Sequence, residues 1–277
     1  MGRSIRPSDF RDSASRHIAK ALIVAAETTG ERVERLWRDL MFAMEKSLWD
    51  AYRGHQEADA AWIAHRNAVG TRYREKAWET ISPALDCAQT AIVQAAQPWL
   101  ARSGVGDTED ETDILGAISM QLSPNTHVGQ FFTPFHLSLL LARMEGPRAE
   151  DVLRRCATVL RCAEDDPFLI WLRDAPLDDA AADAVRTRLR VLVRPLRVCD
   201  PACGSGGMLL AAAMQVPHWM NIGGFVSYYG QDVDPLCVAM TRVNLLRVGI
   251  VPHVVCGNTL SEPMTINDPR LHEWYMQ

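Results

Sequence analysis

Apolar residues recur at helical spacing through the first hundred positions of the chain. Leu36, Leu40 and Met44 form one such stripe, and few segments here alternate between apolar and polar residues as a half-buried strand would. The pattern predicts a helical domain over residues 1–103. Because amphipathic helices need a buried face, we expect the tryptophans of this region to fill a bundle core rather than stack on nucleic-acid bases. They are Trp37, Trp49, Trp62 and Trp78.

The middle of the chain mixes helical stripes with residues that break helices. We expect a linker and two helices over residues 104–145 and a helical insert over residues 146–195. Asp-Asp-Pro at 165–167 is expected to interrupt that insert, because proline disfavours helix at the residue before it. The helices are predicted at 113–122, 135–144, 152–159 and 180–193.

The pattern changes to buried strands in the last third of the chain. An apolar run ends at Asp200, an aromatic and β-branched run covers 225–230, and a third apolar run covers 251–256. A helical stripe at 235–247 separates the last two runs. Strand, helix, strand, helix and strand in this order predict an α/β fold, with a partial Rossmann-like domain over residues 196–277 behind the all-helical amino-terminal domain.

Composition places the chain among ordinary globular proteins able to bury a sizeable core, with 48% apolar and 23% charged residues over 277 positions. No stretch approaches eighteen uncharged apolar residues, so we expect no membrane association and a cytoplasmic location. The seven cysteines include no Cys-x-x-Cys pair, which is typical of reduced thiols and predicts no metal site. Cys199 and Cys203 are interpreted as packing residues.

The net charge of −5 argues against nonspecific affinity for nucleic acids, since phosphate binding rests on Lys and Arg. Arg66, Arg72, Arg74 and Lys76 form the richest basic cluster, but its dilution by glutamates is more typical of a solvated helix end than of a DNA-binding patch. The acidic run at 107–113 is interpreted as a linker or helix start rather than a metal site.

A glycine-rich turn follows the first predicted strand. Gly204, Gly206 and Gly207 come directly after Asp200 and precede an apolar helix, an arrangement that lets backbone amides approach a nucleotide cofactor closely. A dinucleotide fingerprint would place its third glycine where Leu209 stands. The spacing therefore fits S-adenosylmethionine better than a dinucleotide.

Four motifs in order carry a family resemblance that covers roughly residues 112–260. Asp-Pro-Ala-Cys-Gly-Ser-Gly-Gly at 200–207 resembles the cofactor motif of adenine-specific DNA N6-methyltransferases, most closely the modification subunits of type I restriction-modification systems. Gly-Gln-Phe-Phe-Thr-Pro at 129–134, Gly-Gln-Asp-Val-Asp-Pro at 230–235 and Gly-Asn-Thr-Leu at 257–260 resemble the companion motifs of that family. Four ordered motifs are far more specific than any one of them.

The resemblance implies a class I S-adenosylmethionine-dependent methyltransferase domain acting on DNA. In that family the motif at 129–134 lies against the methionine end of the cofactor, Asp232 accepts hydrogen bonds from the ribose hydroxyls, and Asn258, where the family more often has Asp, lies near the adenine. Asp200 is chemically suited to a cationic amine. The expected cofactor-binding residues are Phe131, Phe132, Thr133, Pro134, Asp200, Pro201, Ala202, Gly204, Gly206, Asp232 and Asn258.

The upstream motif also has a purely structural interpretation. Phe131 or Phe132 would fill a helix–sheet interface in many folds. Thr133 and Pro134 stand just before an apolar helix, where helix capping alone would account for both. Only the family match favours cofactor binding over capping.

The family's Asn/Asp-Pro-Pro-Phe/Tyr acceptor motif does not occur after Leu260, and Asn-Asp-Pro-Arg at 267–270 lacks the second proline and the ring. Stacking on a base contributes about 1–3 kcal/mol and reactant positioning about 7–11 kcal/mol of a barrier. We therefore assign no catalytic residue and expect no autonomous methyl transfer. Residues 261–277 are predicted to be a frayed tail, and another element or chain is expected to cover the outer edge of the first strand.

Three functional hypotheses follow from these observations. The chain is an adenine-specific DNA methyltransferase, active only if its acceptor loop comes from a partner or a neighbouring reading frame. The expected partners are DNA and a restriction-modification specificity subunit or a second methyltransferase chain. Alternatively, it is a non-catalytic regulatory or anti-restriction protein of a mobile element that acts through DNA or a restriction-modification partner. A helical interaction module without any nucleotide site is the third, and the retained glycines and aspartates argue against it.

Overall fold

The computed structural model describes residues 6–10, 12–54, 58–100, 113–122 and 132–275. These parts are mostly helical, with one small parallel sheet near the carboxyl-terminal end. None of the helices in them combines the length and the apolar character needed to cross a bilayer.

Helices account for the regular structure of the described residues up to Leu100. Ile18, Leu22, Leu36 and Leu40 are buried between them, as the helical spacing of the apolar positions predicts. The predicted core position of the tryptophans is confirmed, because Trp37, Trp49 and Trp62 are buried and Trp78 is partly buried. After a single 3-10 turn at Pro7–Asp9, the helices are α1 (Ser13–Thr29), α2 (Val33–Tyr52), α3 (Ala58–Gly70), α4 (Glu75–Gln94) and α5 (Gln97–Leu100).

Five helices follow before the sheet, and four of them were predicted within a few residues. The exception begins at Pro167, where we expected an interruption. Asp166 accepts a 2.9 Å hydrogen bond from Phe168 N, so Asp-Pro starts this helix instead of breaking one. The five are α6 (Ile114–Leu122), α7 (Phe135–Glu145), α8 (Ala149–Leu160), α9 (Pro167–Asp174) and α10 (Ala180–Leu192).

The sheet has three parallel strands in the order β1-β2-β3. In its register Asp200 lies opposite Gly230, and Asp232 lies opposite Cys256, so the carboxyl ends of all three strands meet at one edge. The strands are β1 (Leu196–Asp200), β2 (Val226–Asp232) and β3 (Pro252–Cys256). The helices that connect them are α11 (Gly207–Ala213), α12 (His218–Ile222) and α13 (Pro235–Leu246).

Helix α13 joins the sheet to the amino-terminal helices. One side of it packs on β2 and β3, while Cys237, Met240 and Val243 enter the same apolar cluster as residues of α2. Arg242 of α13 pairs with Glu45 of α2 at 2.5 Å, and both side chains are buried. A buried charge needs such a partner, because desolvation without one is costly.

The prediction that residues 261–277 form a frayed tail is wrong. A last helix, α14 (Pro269–Tyr275), begins at Pro269, which suits the first turn because proline needs no hydrogen-bond partner there. Trp274 is buried against α2, with its Nε1 donating to Glu45 at 2.8 Å and its ring 4.2 Å from the guanidinium of Arg242. Its packing against the Trp49 ring, centroids 4.4 Å apart, completes this contact.

The outer edge of β1 has no strand partner among the described residues, where β1 pairs with β2 alone. Leu196 and Val198 are half-buried against the core, while Arg197 and Cys199 are exposed. An unpaired strand edge offers backbone groups to any extended chain. That another element or chain covers this edge stays a prediction.

Candidate functional site

The turn between β1 and α11 is built on two glycines with left-handed backbone. Gly204 has φ +55° and Gly206 has φ +86°, a conformation that other residues adopt with strain. A Cβ on Gly206 would stand 2.9 Å from Thr241 Cγ2, so the loop also packs tightly on α13. Gly206 N donates to Cys203 O at 2.7 Å, which closes the turn. We call residues 201–207 the glycine loop.

The glycine loop is docked on the end of β2 through Asp232. Gly204 N donates to Asp232 Oδ2 at 2.9 Å, and Asp234 N donates to Oδ1 at 2.9 Å. Cys203 N adds a backbone hydrogen bond to Gln231 O at 3.0 Å. A carboxylate has about four acceptor sites, so Asp232 can take further donors from a ligand such as a diol.

Asp200 lies at the same edge, at the end of β1. Burial raises the pKa of the Asp200 carboxyl, and the nearby Asp232 charge raises it further, against the opposing effect of the hydrogen bond from Ala202 N to Asp200 Oδ1 at 3.1 Å. The charged form is therefore disfavoured until a cation approaches. Asp200 and Asp232 together place two carboxyl groups at one edge of the sheet, an arrangement suited to a ligand that carries a positive group.

The segment after β3 packs against the end of β2 and the glycine loop. Gly257 N donates to Asp232 O at 2.9 Å, and Thr259 Oγ1 donates to Pro201 O at 2.5 Å, which ties this segment to the glycine loop. The Asn258 side chain is exposed and accepts from Leu260 N at 3.0 Å. The structure thus places Asn258 beside the other predicted residues, while its side chain caps its own turn.

Gln231 is a site residue to which we assigned no role from sequence. Its buried Nε2 donates to Glu262 O at 2.8 Å, and its Oε1 accepts from Met264 N at 2.8 Å. The amide therefore holds the segment after β3 over the sheet edge. Its place between Gly230 and Asp232 at the end of a predicted strand was the available signal, but the partners lie about thirty residues away.

The upstream motif reaches the glycine loop through Phe132. A Cβ on Gly204 would stand 3.0 Å from Phe132 Cδ1, so the ring lies directly on this glycine. Thr133 and Pro134 are exposed, and Pro134 itself is the cap residue of α7. No side-chain hydrogen bond caps that helix, so capping by the Thr133 hydroxyl is not what the structure shows. Phe131 lies outside the described residues.

Asp113 is a second residue whose role the sequence did not reveal. Its expected place at a helix start is confirmed, since Gly116 N donates to Asp113 Oδ1 at 2.9 Å. Its other oxygen accepts from the hydroxyl of Ser205 in the glycine loop, and Asn244 Nδ2 donates to Oδ1 at 2.9 Å. Ninety-two positions separate Asp113 from Ser205, so local pattern carried no signal for this contact.

Other candidate groups take part in structure. Arg66 pairs with Asp86, and Arg72 pairs with Asp39 at 2.5 Å, so half of the basic cluster is neutralised within the helices. Burial raises the pKa of the Cys203 thiol to about 12, which agrees with a packing residue rather than a nucleophile. In the described parts of the chain, no three His, Cys, Asp or Glu side chains are grouped to hold a metal ion.

Comparisons with known proteins agree with the motifs. Residues 186–273 match the model of the family described as N-6 DNA Methylase. Over 52 residues the chain is 38% identical to the type I restriction enzyme MjaIX methylase subunit of Methanocaldococcus jannaschii, a match that covers 19% of this chain and 9% of that protein.

A solved structure was also matched, at low similarity. It is the type I restriction-modification system methyltransferase subunit from Streptococcus thermophilus, 14% identical, with 93% of this chain and 60% of that chain covered and a TM-score of 0.30. That score is too low to establish a common fold. The similarity to known proteins therefore rests on sequence: residues 186–273, less than half of the chain, match the N-6 DNA methylase family, and 52 residues resemble one type I restriction enzyme methylase subunit, of which this chain spans only a small part.

Proposed function

We propose that the chain binds S-adenosylmethionine across the carboxyl ends of β1 and β2, as part of an adenine-specific DNA N6-methyltransferase of the type I class. The contact of Gly204 with Asp232 supports this proposal most directly. It brings the glycine turn and the acidic side chain, which the family motifs pair, into contact at the edge of the sheet. Ligands of open α/β sheets bind at that edge.

The two ends of the cofactor find complementary groups there. Asp232 has acceptor sites left for the ribose hydroxyls, since within the described part of the chain one backbone donor occupies each of its oxygens. Asp200, whose charged form is disfavoured by burial, would be stabilised by the ammonium or sulfonium charge of the methionine moiety. S-adenosylmethionine carries both a diol and these cations, whereas a dinucleotide would bring a pyrophosphate close to two carboxyl groups.

The sheet and its connecting helices are consistent with half of a Rossmann-like methyltransferase domain. Parallel β1, β2 and β3 are joined by crossovers through α11, α12 and α13, which is the sequence of elements such a half-domain needs. We propose the remaining site residues on this basis: Pro201 and Ala202 in the loop, Gly206 at its turn, Asn258 near the adenine, and the 131–134 motif at the methionine end.

Methyl transfer to adenine requires an acceptor element that these 277 residues do not contain. The nearest resemblance, Asn-Asp-Pro-Arg at 267–270, is used structurally: Arg270 donates two side-chain hydrogen bonds to Asp268 and lowers the pKa of that carboxyl to about 2. We propose that the chain binds the cofactor, that an acceptor element outside these residues completes the site, and that DNA and a specificity subunit complete the assembly.

The structural use of Asn-Asp-Pro-Arg at 267–270, where Arg270 and Asp268 bond each other, also fits a second candidate function. A cofactor-binding relative that transfers no methyl group could regulate a restriction-modification system or oppose it, acting on DNA or on the methyltransferase itself. The two candidates share the cofactor site and differ in catalysis.

Titration calorimetry with S-adenosylmethionine tests the shared part. The unmodified chain should bind, and Asp232→Ala should abolish binding because it removes the ribose acceptor and the partner of Gly204. Asp179→Ala is the matched control, since Asp179 caps α10 through Ala181 N and Ala182 N and should leave affinity unchanged. Equal affinity in Asp232→Ala would contradict the proposed site. Transfer of labelled methyl to adenine-rich DNA by the chain alone would contradict the need for an acceptor element outside these residues.

A further inference from the structure

We infer that Asp113 is a positioning residue for the cofactor site: it holds the glycine loop in its binding shape through Ser205, although it lies 92 positions upstream. This inference rests on the proposed function, because it concerns the affinity of the glycine loop for S-adenosylmethionine. The carboxylate accepts three hydrogen bonds from three different segments. The donors are Gly116 N, the Ser205 hydroxyl and Asn244 Nδ2.

Ser205 is well placed to control the loop because it stands between its two left-handed glycines. Its hydroxyl donates to Asp113, and its carbonyl accepts from Asn244 Nδ2 at 2.8 Å, so both its side chain and its backbone are held. Fixing Ser205 restrains the neighbouring Gly204 and Gly206. The amide of Gly204 is then kept towards Asp232, where the ribose is proposed to bind.

The Asp113 carboxylate and its two side-chain donors are almost completely buried. Asp113 is 5% exposed, Ser205 2% and Asn244 0%. Water therefore does not compete for these hydrogen bonds, and hydrogen bonds to a buried charge are among the stronger ones in proteins. Arg247 Nε donates to Asn244 Oδ1 at 3.0 Å, which orients the amide so that its NH₂ group faces Asp113 and the loop.

Two glycines, Gly116 and Gly207, leave space for the Asp113 carboxylate. A Cβ on Gly207 would stand 2.9 Å from Asp113 Oδ2, and a Cβ on Gly116 would also collide with that oxygen. Glycine at both positions leaves space for a carboxylate to bridge α6 and the glycine loop. This close fit explains two glycines that have ordinary backbone angles, since neither has positive φ.

A purely structural role for Asp113 would lower stability without a specific effect on the cofactor. The two roles separate in a double-mutant cycle of Asp113→Asn and Ser205→Ala, measured by S-adenosylmethionine calorimetry and by urea unfolding. Each single variant should weaken cofactor affinity by about tenfold to a hundredfold, the effect of losing a hydrogen bond to a charged group. With Ala at 205, Asp113→Asn should weaken affinity no further, whereas stability should still fall because the bonds from Gly116 and Asn244 are disturbed.

Asp39→Asn is the matched control. Asp39 is an equally buried carboxylate that accepts from Arg72 and Tyr73 within the amino-terminal helices. Its variant should lose stability while binding S-adenosylmethionine as the unmodified chain does. If Asp113→Asn does not fold, the effect of Ser205→Ala on affinity carries the test.

The outcomes distinguish this inference from the proposed function. Unchanged affinity in Ser205→Ala or in folded Asp113→Asn, with binding by the unmodified chain, would overturn the positioning role alone. Additive losses of affinity in the double variant would also overturn it, because Asp113 would then act by a route other than Ser205. Absence of binding by the unmodified chain would overturn both proposals.

Discussion

The amide of Gly204 donates a hydrogen bond of 2.9 Å to the carboxylate of Asp232, 28 positions further along the chain. Parallel strands deliver their carboxyl ends to one edge of a sheet, so the loop after β1 and the last residue of β2 meet there. The conformation of the glycine loop and the position of the Asp232 side chain therefore depend on each other. A change in the glycine loop should alter the position of Asp232 as well as the loop itself.

Replacing Gly206 should show how tightly the loop is packed. Gly206→Ala places a side chain at φ +86° and 2.9 Å from Thr241 Cγ2, with the Thr241 backbone at 3.1 Å. Gly30 has a similar φ of +74° with nothing within 4 Å, so Gly30→Ala should show only the left-handed backbone cost of about 1–2 kcal/mol. Urea unfolding should find Gly206→Ala less stable than Gly30→Ala, and calorimetry should find its cofactor affinity reduced. Equal losses of stability in Gly206→Ala and Gly30→Ala would mean that the glycine loop moves away from Thr241 without an energetic cost.

Asp200→Asn should stabilise the ligand-free protein at neutral pH and weaken its affinity for S-adenosylmethionine. The pKa of Asp200 is raised by burial and by the Asp232 charge, so the folded state disfavours the carboxylate and stability falls as the pH rises above the ordinary range of a carboxyl group. The gain from asparagine should therefore disappear in acid, where Asp200 is protonated in both states.

Thermal unfolding between about pH 3 and pH 8 measures the change in stability, because only below about pH 4 is an unfolded carboxyl mostly protonated, and calorimetry measures cofactor affinity. Asp166→Asn is the control, because asparagine also caps a helix and Asp166 caps α9 away from the site. A less stable Asp200→Asn protein at neutral pH would contradict the assigned electrostatics. Undiminished cofactor affinity would remove Asp200 from the proposed site.

His218 should make the protein sensitive to mild acid. Burial lowers the pKa of His218 to about 4, and its Nδ1 accepts from Trp99 Nε1 at 2.9 Å, which requires the neutral ring. The unfolded chain binds the proton first, so stability should fall as the pH drops from about 6.5 towards 4, by at most about 3 kcal/mol. His218→Gln keeps an acceptor for Trp99 and should flatten this slope.

Urea unfolding at several pH values checks this expectation, with exposed His136→Gln as the control. Burial also lowers the pKa of His253, so the His218→Gln variant should keep part of the slope. An unchanged slope in His218→Gln would show that His218 does not titrate in the folded protein as its burial indicates.

Elements with strong periodicity were predictable from sequence. The stripe through Leu36, Leu40 and Met44 identified a buried helix face, because the 3.6-residue period follows from helix geometry. The short apolar run that ends at Asp200 before a glycine turn identified a strand. Helix α9 was missed because Asp166 and Pro167 suit both an interruption and a helix start, and only packing distinguishes them.

Residues 261–277 show most clearly that local sequence does not predict elements which depend on tertiary contacts. Residues 261–277 have two prolines and little periodicity, so their sequence indicated a frayed end. Helix α14 forms there because the indole of Trp274 finds Glu45, Arg242 and Trp49, residues that the chain brings together from distant positions. Local propensity is weak compared with the burial of one large aromatic side chain.

Residue types and their spacing were enough to identify the glycine loop and to pair it with Asp232. Glycines follow the first predicted strand and an acidic residue ends the second, and parallel strands bring these two ends to one edge of the sheet. They were not enough to find Asp113 and Asn244 as partners of that loop, or Gln231 as the residue that holds the segment after β3. Those contacts join segments 92, 39 and 31 positions apart, and hydrogen bonds over such separations exist only once the core has packed. The motif is local chemistry, whereas the support that holds it in shape comes from folding of the whole chain.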